Sequence, residues 1–243
     1  MTNKGISKNL FAILDKITDV YPSFGPKVFE KLFLFLPGMK FVYQSYVKRA
    51  QDIIEKAGEI KSILMIADVN IGDSLLIQSS LKVLKSYFPE AGIDFFCNRK
   101  GGELFSGEAL GVNVINEFTN SGIPKEEDSL KISKLIKAND YSLVFNVSPF
   151  VERKYLKDSD KVLNLYVPLA YYIMHLWKSD SNEMNISLLT FNFFNELLKP
   201  FSPFHILNSD NKEHFHLLPV FKGNSIHLSK EAADEAVEIL NNN

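Results

Sequence analysis

The chain has 243 residues, 46% hydrophobic and 23% charged, with a formal net charge of −2. That length suits one large domain or two small ones, and the composition is that of a globular protein without disordered tracts. The charge balance gives no general case for nucleic-acid binding, and a single cysteine, Cys97, excludes a disulfide within the chain and favours a reducing compartment.

Residues 1–60 read as a helical N-terminal extension. The opening MTNKGISKNLF has no long apolar core followed by a small-residue cleavage site, so it is not a secretory signal. Leu10, Ile13, Leu14 and Ile17 fall at helical spacing. A second helix, about 27–36, sets Val28, Phe29, Leu32, Phe33 and Leu36 on one side, and Pro37-Gly38 ends it. A third is expected from Tyr46 to Ala57. Residues 1–49 hold eight basic and three acidic side chains, a local charge of +5. Basic amphipathic helices rich in Phe and Leu either lie on an anionic membrane surface or cap their own core, and the spacing fits both.

From Lys61 the period changes to alternating strand and helix. Strands are predicted over about 62–67, 92–97, 113–117 and 141–147, with another inside 162–167. The 141–147 stretch contains an uninterrupted SLVFNV run, as in a parallel strand buried on both faces. Helices are expected over about 73–87 and inside 186–198, with a short one at 101–109. Glu126, Glu127 and Asp128 stand in front of Leu130, Ile132, Leu135 and Ile136, where acids complement a helix N-terminus. Leu165 to Trp177 (LYVPLAYYIMHLW) is the longest apolar run. It has 13 residues, fewer than the roughly 20 that span a bilayer, and reads as core or as an interfacial aromatic patch. Pro200 and Pro203 close the last long helix, 202–226 is polar and irregular, and Ser229 caps a final helix, Ala232 to Leu240. The β-α-β alternation gives the fold class: α/β, a Rossmann-like parallel sheet flanked by helices with right-handed crossovers.

The chemistry concentrates in Ser62 to Phe96, SILMIADVNIGDSLLIQSSLKVLKSYFPEAGIDFF. This is one strand–loop–helix–strand unit with a carboxylate, Asp73, where the first strand hands over to its helix. Ligands of parallel α/β sheets sit at that edge. A helix N-terminus stabilises a carboxylate, which is sound helix chemistry with or without catalysis. Gly72 permits close approach of a substrate or simply a tight turn. Asn70 and Asp68 share the loop, as substrate contacts or as solvated residues. Arg99 and Lys100 follow the second strand at the same edge and suit phosphates or acidic sugars, or a solvated turn. Ser148 and Arg153 follow the fourth strand at the corresponding edge. His214 and His216 alternate without accompanying zinc-type ligands, so no metal is expected. No G-x-G-x-x-G follows the first strand, and no G-x-S-x-G occurs.

The same stretch resembles the opening of glycosyltransferase family 9, the heptosyltransferases of lipopolysaccharide synthesis. The likeness lies in an apolar strand, a short polar loop, Gly72-Asp73, a helix, and then Phe88-Pro89-Glu90-Ala91 with Ile93-Asp94 leading into strand two. Leu110 to Ile115 (LGVNVI) and Ile226 to Glu231 (IHLSKE) are similar to the family's next segment and to its interdomain linker. The likeness covers about 61–240 and is densest over 62–96. It departs from the family in its long N-terminal extension and in lacking a proline near Ser79. It implies the N-terminal half of a GT-B fold: the extension at 1–60, an acceptor-binding domain at 61–225, and the start of an interdomain helix at 226–243, with the nucleotide-sugar domain absent from this chain. The implied reaction is inverting, metal-free transfer of a sugar, heptose from ADP-heptose, to a lipopolysaccharide or other glycan or lipid-linked acceptor. Asp73 would be the base, and Gly72, Asn70, Arg99, Lys100, Ser148 and Arg153 would bind substrate. The chain alone would be inactive without a C-terminal domain. The expected setting is cytoplasmic, at the inner face of the cytoplasmic membrane, with residues 1–49 as the candidate membrane contact. The other reading is a non-catalytic or degenerate Rossmann-like module that binds a glycan or a partner.

Overall fold

The structure, a computed structural model, describes residues 39–67, 71–98, 110–118, 126–148, 151, 155–156, 160–179 and 186–201. For residues 39, 42, 71–76, 116, 118, 167 and 174–179 it describes the backbone alone. The helices expected at 10–17, 27–36 and 101–109 and the tail beyond 201 lie outside the described residues.

In chain order the elements are α1 (Met39–Ala57), β1 (Ser62–Ala67), α2 (Ile71–Tyr87), β2 (Gly92–Asn98), β3 (Asn113–Phe118), α3 (Glu126–Asn139), β4 (Leu143–Asn146), β5 (Val162–Asn164), α4 (Tyr166–Ser179) and α5 (Ile186–Leu198), followed by a 3₁₀ turn, Lys199–Phe201. The five strands form one sheet in the order β3-β2-β1-β4-β5, and every pairing is parallel. This is a Rossmann-like α/β sheet. β1 is its centre: Ile66 lies opposite Phe96 of β2 and Asn146 of β4. Ile63 to Ala67 are all 0% exposed, which explains why β1 reads as a continuous apolar run rather than an alternation.

The pleat sends alternate side chains to opposite faces. Ile63, Met65, Phe95, Phe145 and Leu163 join the core under α1, α2, α4 and α5. Leu64, Ile66, Phe96, Val144 and Val162 join the core under α3, whose Ile132 is fully buried. Val151 and Leu156, from the connection between β4 and β5, pack on this second face. The two faces follow from handedness. The chain moves from β1 out to β2 on one side and then from β3 back across to β4 on the other, so right-handed crossovers place α2 and α3 on opposite faces.

Three boundaries differ from those expected. α1 begins at Met39 rather than Tyr46, directly after Pro37-Gly38. Its added turns are held by Tyr43, whose ring lies 5.5 Å from Tyr171 and 6.0 Å from Tyr172 of α4. β4 is confined to Leu143–Asn146, because Asp140, at φ 40°, turns the chain out of α3 just before it and Asn146 starts a polar turn just after. α2 starts at Ile71, so Gly72 and Asp73 are helical rather than part of the loop. The interior of the 165–177 run resolves as α4, with Leu165, Leu169, Tyr171 and Tyr172 buried. α1 buries Ala50 and Ile54 in the main core, and the Gln51 Nε2 donates to the Leu197 carbonyl at 3.2 Å. This part of the N-terminal segment therefore caps the α/β core. Among the described residues no helix is long and apolar enough to cross a membrane.

Candidate functional site

In an open parallel sheet, the carboxyl ends of two neighbouring strands whose connections leave in opposite directions border a crevice. Here those strands are β1 and β4. β1 leads to α2 on one face, and β4 leads to Val151 and Leu156 on the other. The two strand ends are fixed to one another, since the Val147 N–H donates to the Ile66 carbonyl at 3.0 Å.

Gly72 and Asp73 are the second and third residues of α2, the helix that follows β1 in the chain. Asp73 is thus a first-turn residue, and the first turn of a helix carries backbone N–H groups with no partner inside the helix. Ser148 lies two residues beyond β4 on the neighbouring strand. It is 3% exposed, and its N–H donates to the Asn146 Oδ1 at 3.1 Å. The fold therefore brings the backbone at Gly72-Asp73 and the position of Ser148 to one edge. Ser148 is buried and is not a free surface hydroxyl. Asn70, Asp68, Arg99, Lys100 and Arg153 lie outside the described residues, as do His214 and His216.

The structure adds residues that sequence reasoning missed. Three strands end in asparagine: β2 at Asn98, β4 at Asn146 and β5 at Asn164. Asn98 and Asn146 are buried, at 6% and 3% exposure. The Asn146 Nδ2 donates to the Asn164 Oδ1 at 2.9 Å. On the same side, the first turn of α3 buries Asp128 and Ser129. The signal was present in the strings FFCN, LVFN and VLN: an apolar run that stops on an amide puts that amide at the carboxyl edge. Cys97 stands one residue before Asn98 and is fully buried, and burial pushes its thiol up to about 12. It is a core thiol and not a nucleophile.

Among the described residues no group of three or more His, Cys, Asp or Glu could hold a metal ion. A depression of about 370 Å³ lies at the other end of the sheet, lined by Asp140, Tyr141, Lys161 and neighbours, with Lys161 Nζ and Asp140 Oδ1 paired at 2.8 Å. It is remote from the crevice. Tyr141, on its wall, has its phenol pushed up by burial and by its hydrogen bond to Asp94, so it is a donor held by a structural carboxylate.

No protein-family model, no curated protein and no solved structure matches this chain.

Proposed function

We propose that the chain is the acceptor-binding half of an inverting glycosyltransferase of the family 9, heptosyltransferase type. The observation that carries this reading is the placement of Gly72-Asp73. These residues open the helix after the central strand, beside the crevice where the sheet's connections diverge. A single carboxylate at that point suits a general base. It takes the proton from an acceptor hydroxyl as the oxygen attacks the anomeric carbon and the nucleoside diphosphate leaves, a role worth roughly 10²–10⁴-fold. The reaction needs no metal at the base. In a GT-B arrangement the acceptor rests on this half and the nucleotide sugar, ADP-heptose in the heptosyltransferases, on a second Rossmann-like domain. The resemblance assigns acceptor contacts to Asn70, Arg99, Lys100 and Arg153, the cations suiting its phosphates or acidic sugars, whereas Ser148, at 3% exposure, does not reach the acceptor. The acceptor is a lipopolysaccharide core or a related surface glycan. Work on such a substrate places the protein at the inner face of the cytoplasmic membrane, with the basic segment 1–49 as its contact.

The test is sugar transfer from a panel of nucleotide sugars to lipopolysaccharide-core acceptors. It compares the chain alone, the chain with a C-terminal domain of the family, and that mixture carrying Asp73→Ala. Transfer is expected in the mixture alone, and Asp73→Ala is expected to lower it by at least about 100-fold. Acceptor binding without transfer in any mixture would replace this reading with a non-catalytic glycan-binding module. For the membrane contact, salt-sensitive binding of the protein to anionic vesicles is expected, and no binding at low salt would remove it.

A further inference from the structure

We propose that Asn146 and Asn164 form an amide relay that presents the side-chain N–H groups of Asn164 to a hydroxyl oxygen of a glycan at the carboxyl edge of the sheet. The inference rests on the acceptor-binding reading of that edge and adds a specificity-determining residue, Asn164, and a positioning residue, Asn146.

The orientation of both amides follows from one fixed donor. A backbone N–H can only donate, so the Ser148 N–H at 3.1 Å requires an oxygen, and that atom is the Asn146 Oδ1. The Asn146 Nδ2 is then the atom that faces Asn164, and it donates to the Asn164 Oδ1 at 2.9 Å. Asn164 therefore has its oxygen committed and its Nδ2 turned away from Asn146. Among the described residues no acceptor takes the two hydrogens on that nitrogen. Asn164 is only half-buried, so they are open to a ligand, whereas Asn146 is 3% exposed and does not reach one.

Register places the relay. Val144 pairs with Val162, and the next residues on the same face, Asn146 and Asn164, pair in turn. An apolar pair serves one level and an amide pair the next. A single neutral amide–amide bond adds little net stability, so a second valine pair would hold the strands as well. What the amides add is polarity of fixed direction at the edge where ligands bind. Asn98 at the end of β2 continues the same composition. Neutral amides match hydroxyls, which both donate and accept, better than they match a full negative charge, which draws Arg and Lys.

The test uses the full chain labelled with nitrogen-15. One titration uses a lipid-free lipopolysaccharide core oligosaccharide and a parallel one uses inorganic phosphate. In the free protein the Asn146 side-chain amide protons should exchange slowly and those of Asn164 rapidly. The oligosaccharide should shift the Asn164 amide resonance saturably, and phosphate should not. Asn164→Asp keeps an oxygen for Asn146 but removes the donors, and it should weaken oligosaccharide binding about 3–10-fold with the thermal midpoint unchanged. Asn146→Asp keeps the acceptor for Ser148 but removes the donor to Asn164. The Asn164 amide then turns over and offers its oxygen outward, giving the same loss from a residue that never touches the ligand. Oligosaccharide binding that leaves Asn164 unshifted and is indifferent to Asn164→Asp overturns the relay and leaves the acceptor reading standing. Saturable shifts from phosphate alone overturn the hydroxyl assignment. No oligosaccharide binding by the unmodified chain overturns both.

Discussion

Phe194 of α5 shows how much rests on single side chains. It is 0% exposed, with its ring centroid 6.2 Å from Phe145 of β4 and 5.4 Å from Phe193. Truncation opens a cavity that rigid neighbours cannot fill, so Phe194→Ala should cost about 3–5 kcal/mol in urea unfolding. Ser80 should behave in the opposite sense. Its Oγ is buried with no hydrogen-bond partner among the described residues. Ser80→Ala removes an unsatisfied hydroxyl and improves helix propensity, so stability should rise by about 1 kcal/mol in the same measurement. Cys97 supplies a third case: with its thiol pushed up to about 12, it should resist alkylation at pH 8 in the folded protein and react normally once urea exposes it.

At the scale of elements, α1 is the instructive one. The basic, apolar pattern of the N-terminal segment admitted both a core and a membrane reading, because amphipathicity fixes that a face is buried but not against what. Met39–Ala57 packs on the core through Ala50, Ile54 and the Tyr43 contacts with α4. Ile54→Ala should then destabilise the whole domain by about 2–5 kcal/mol in a single transition, rather than melting a separate appendage. β1, β2 and α5 were legible nearly to the residue. Each is long and strongly apolar, and each is bounded by loop residues or proline. β5 was not, because three residues, Val162–Asn164, carry too little pattern to separate from the helix that follows at once. The edge asparagines escaped notice for a related reason: one amide at the end of an apolar run reads as a loop residue until register sets it beside another. Gly72-Asp73 was legible because it interrupts two clean periods.

For the molecule as a whole, the buried protons set the alkaline limit. Cys97 rises from an ordinary 9.0 to about 12, and Tyr87, whose hydroxyl donates to the Asn195 Oδ1 at 2.7 Å, rises from 10.0 to about 12. In both, burial favours the neutral form. The unfolded chain releases these protons first, so it binds fewer of them than the folded chain above pH 9. Their contribution to stability is complete below pH 9 and is lost as pH climbs toward 12. Urea midpoints should be level across pH 7–8.5 with respect to these groups and fall between pH 9 and 10.5.

The sheet order also dictates a history. β1 lies between β2, which follows it closely, and β4, whose first link to it, the Ser142 N–H on the Ser62 side chain, spans 80 residues. During synthesis at roughly 5–20 residues per second, one side of β1 stays unpaired for several seconds while the intervening chain emerges. That side is the open edge of a strand, SILMIA, that is almost wholly apolar, the kind of template that recruits other nascent chains. The central strand, the best protected in the finished protein, is therefore its most vulnerable on the ribosome. Polysome crowding or slowed translation between residues 67 and 143 should raise the aggregated fraction more than the same slowing after residue 164.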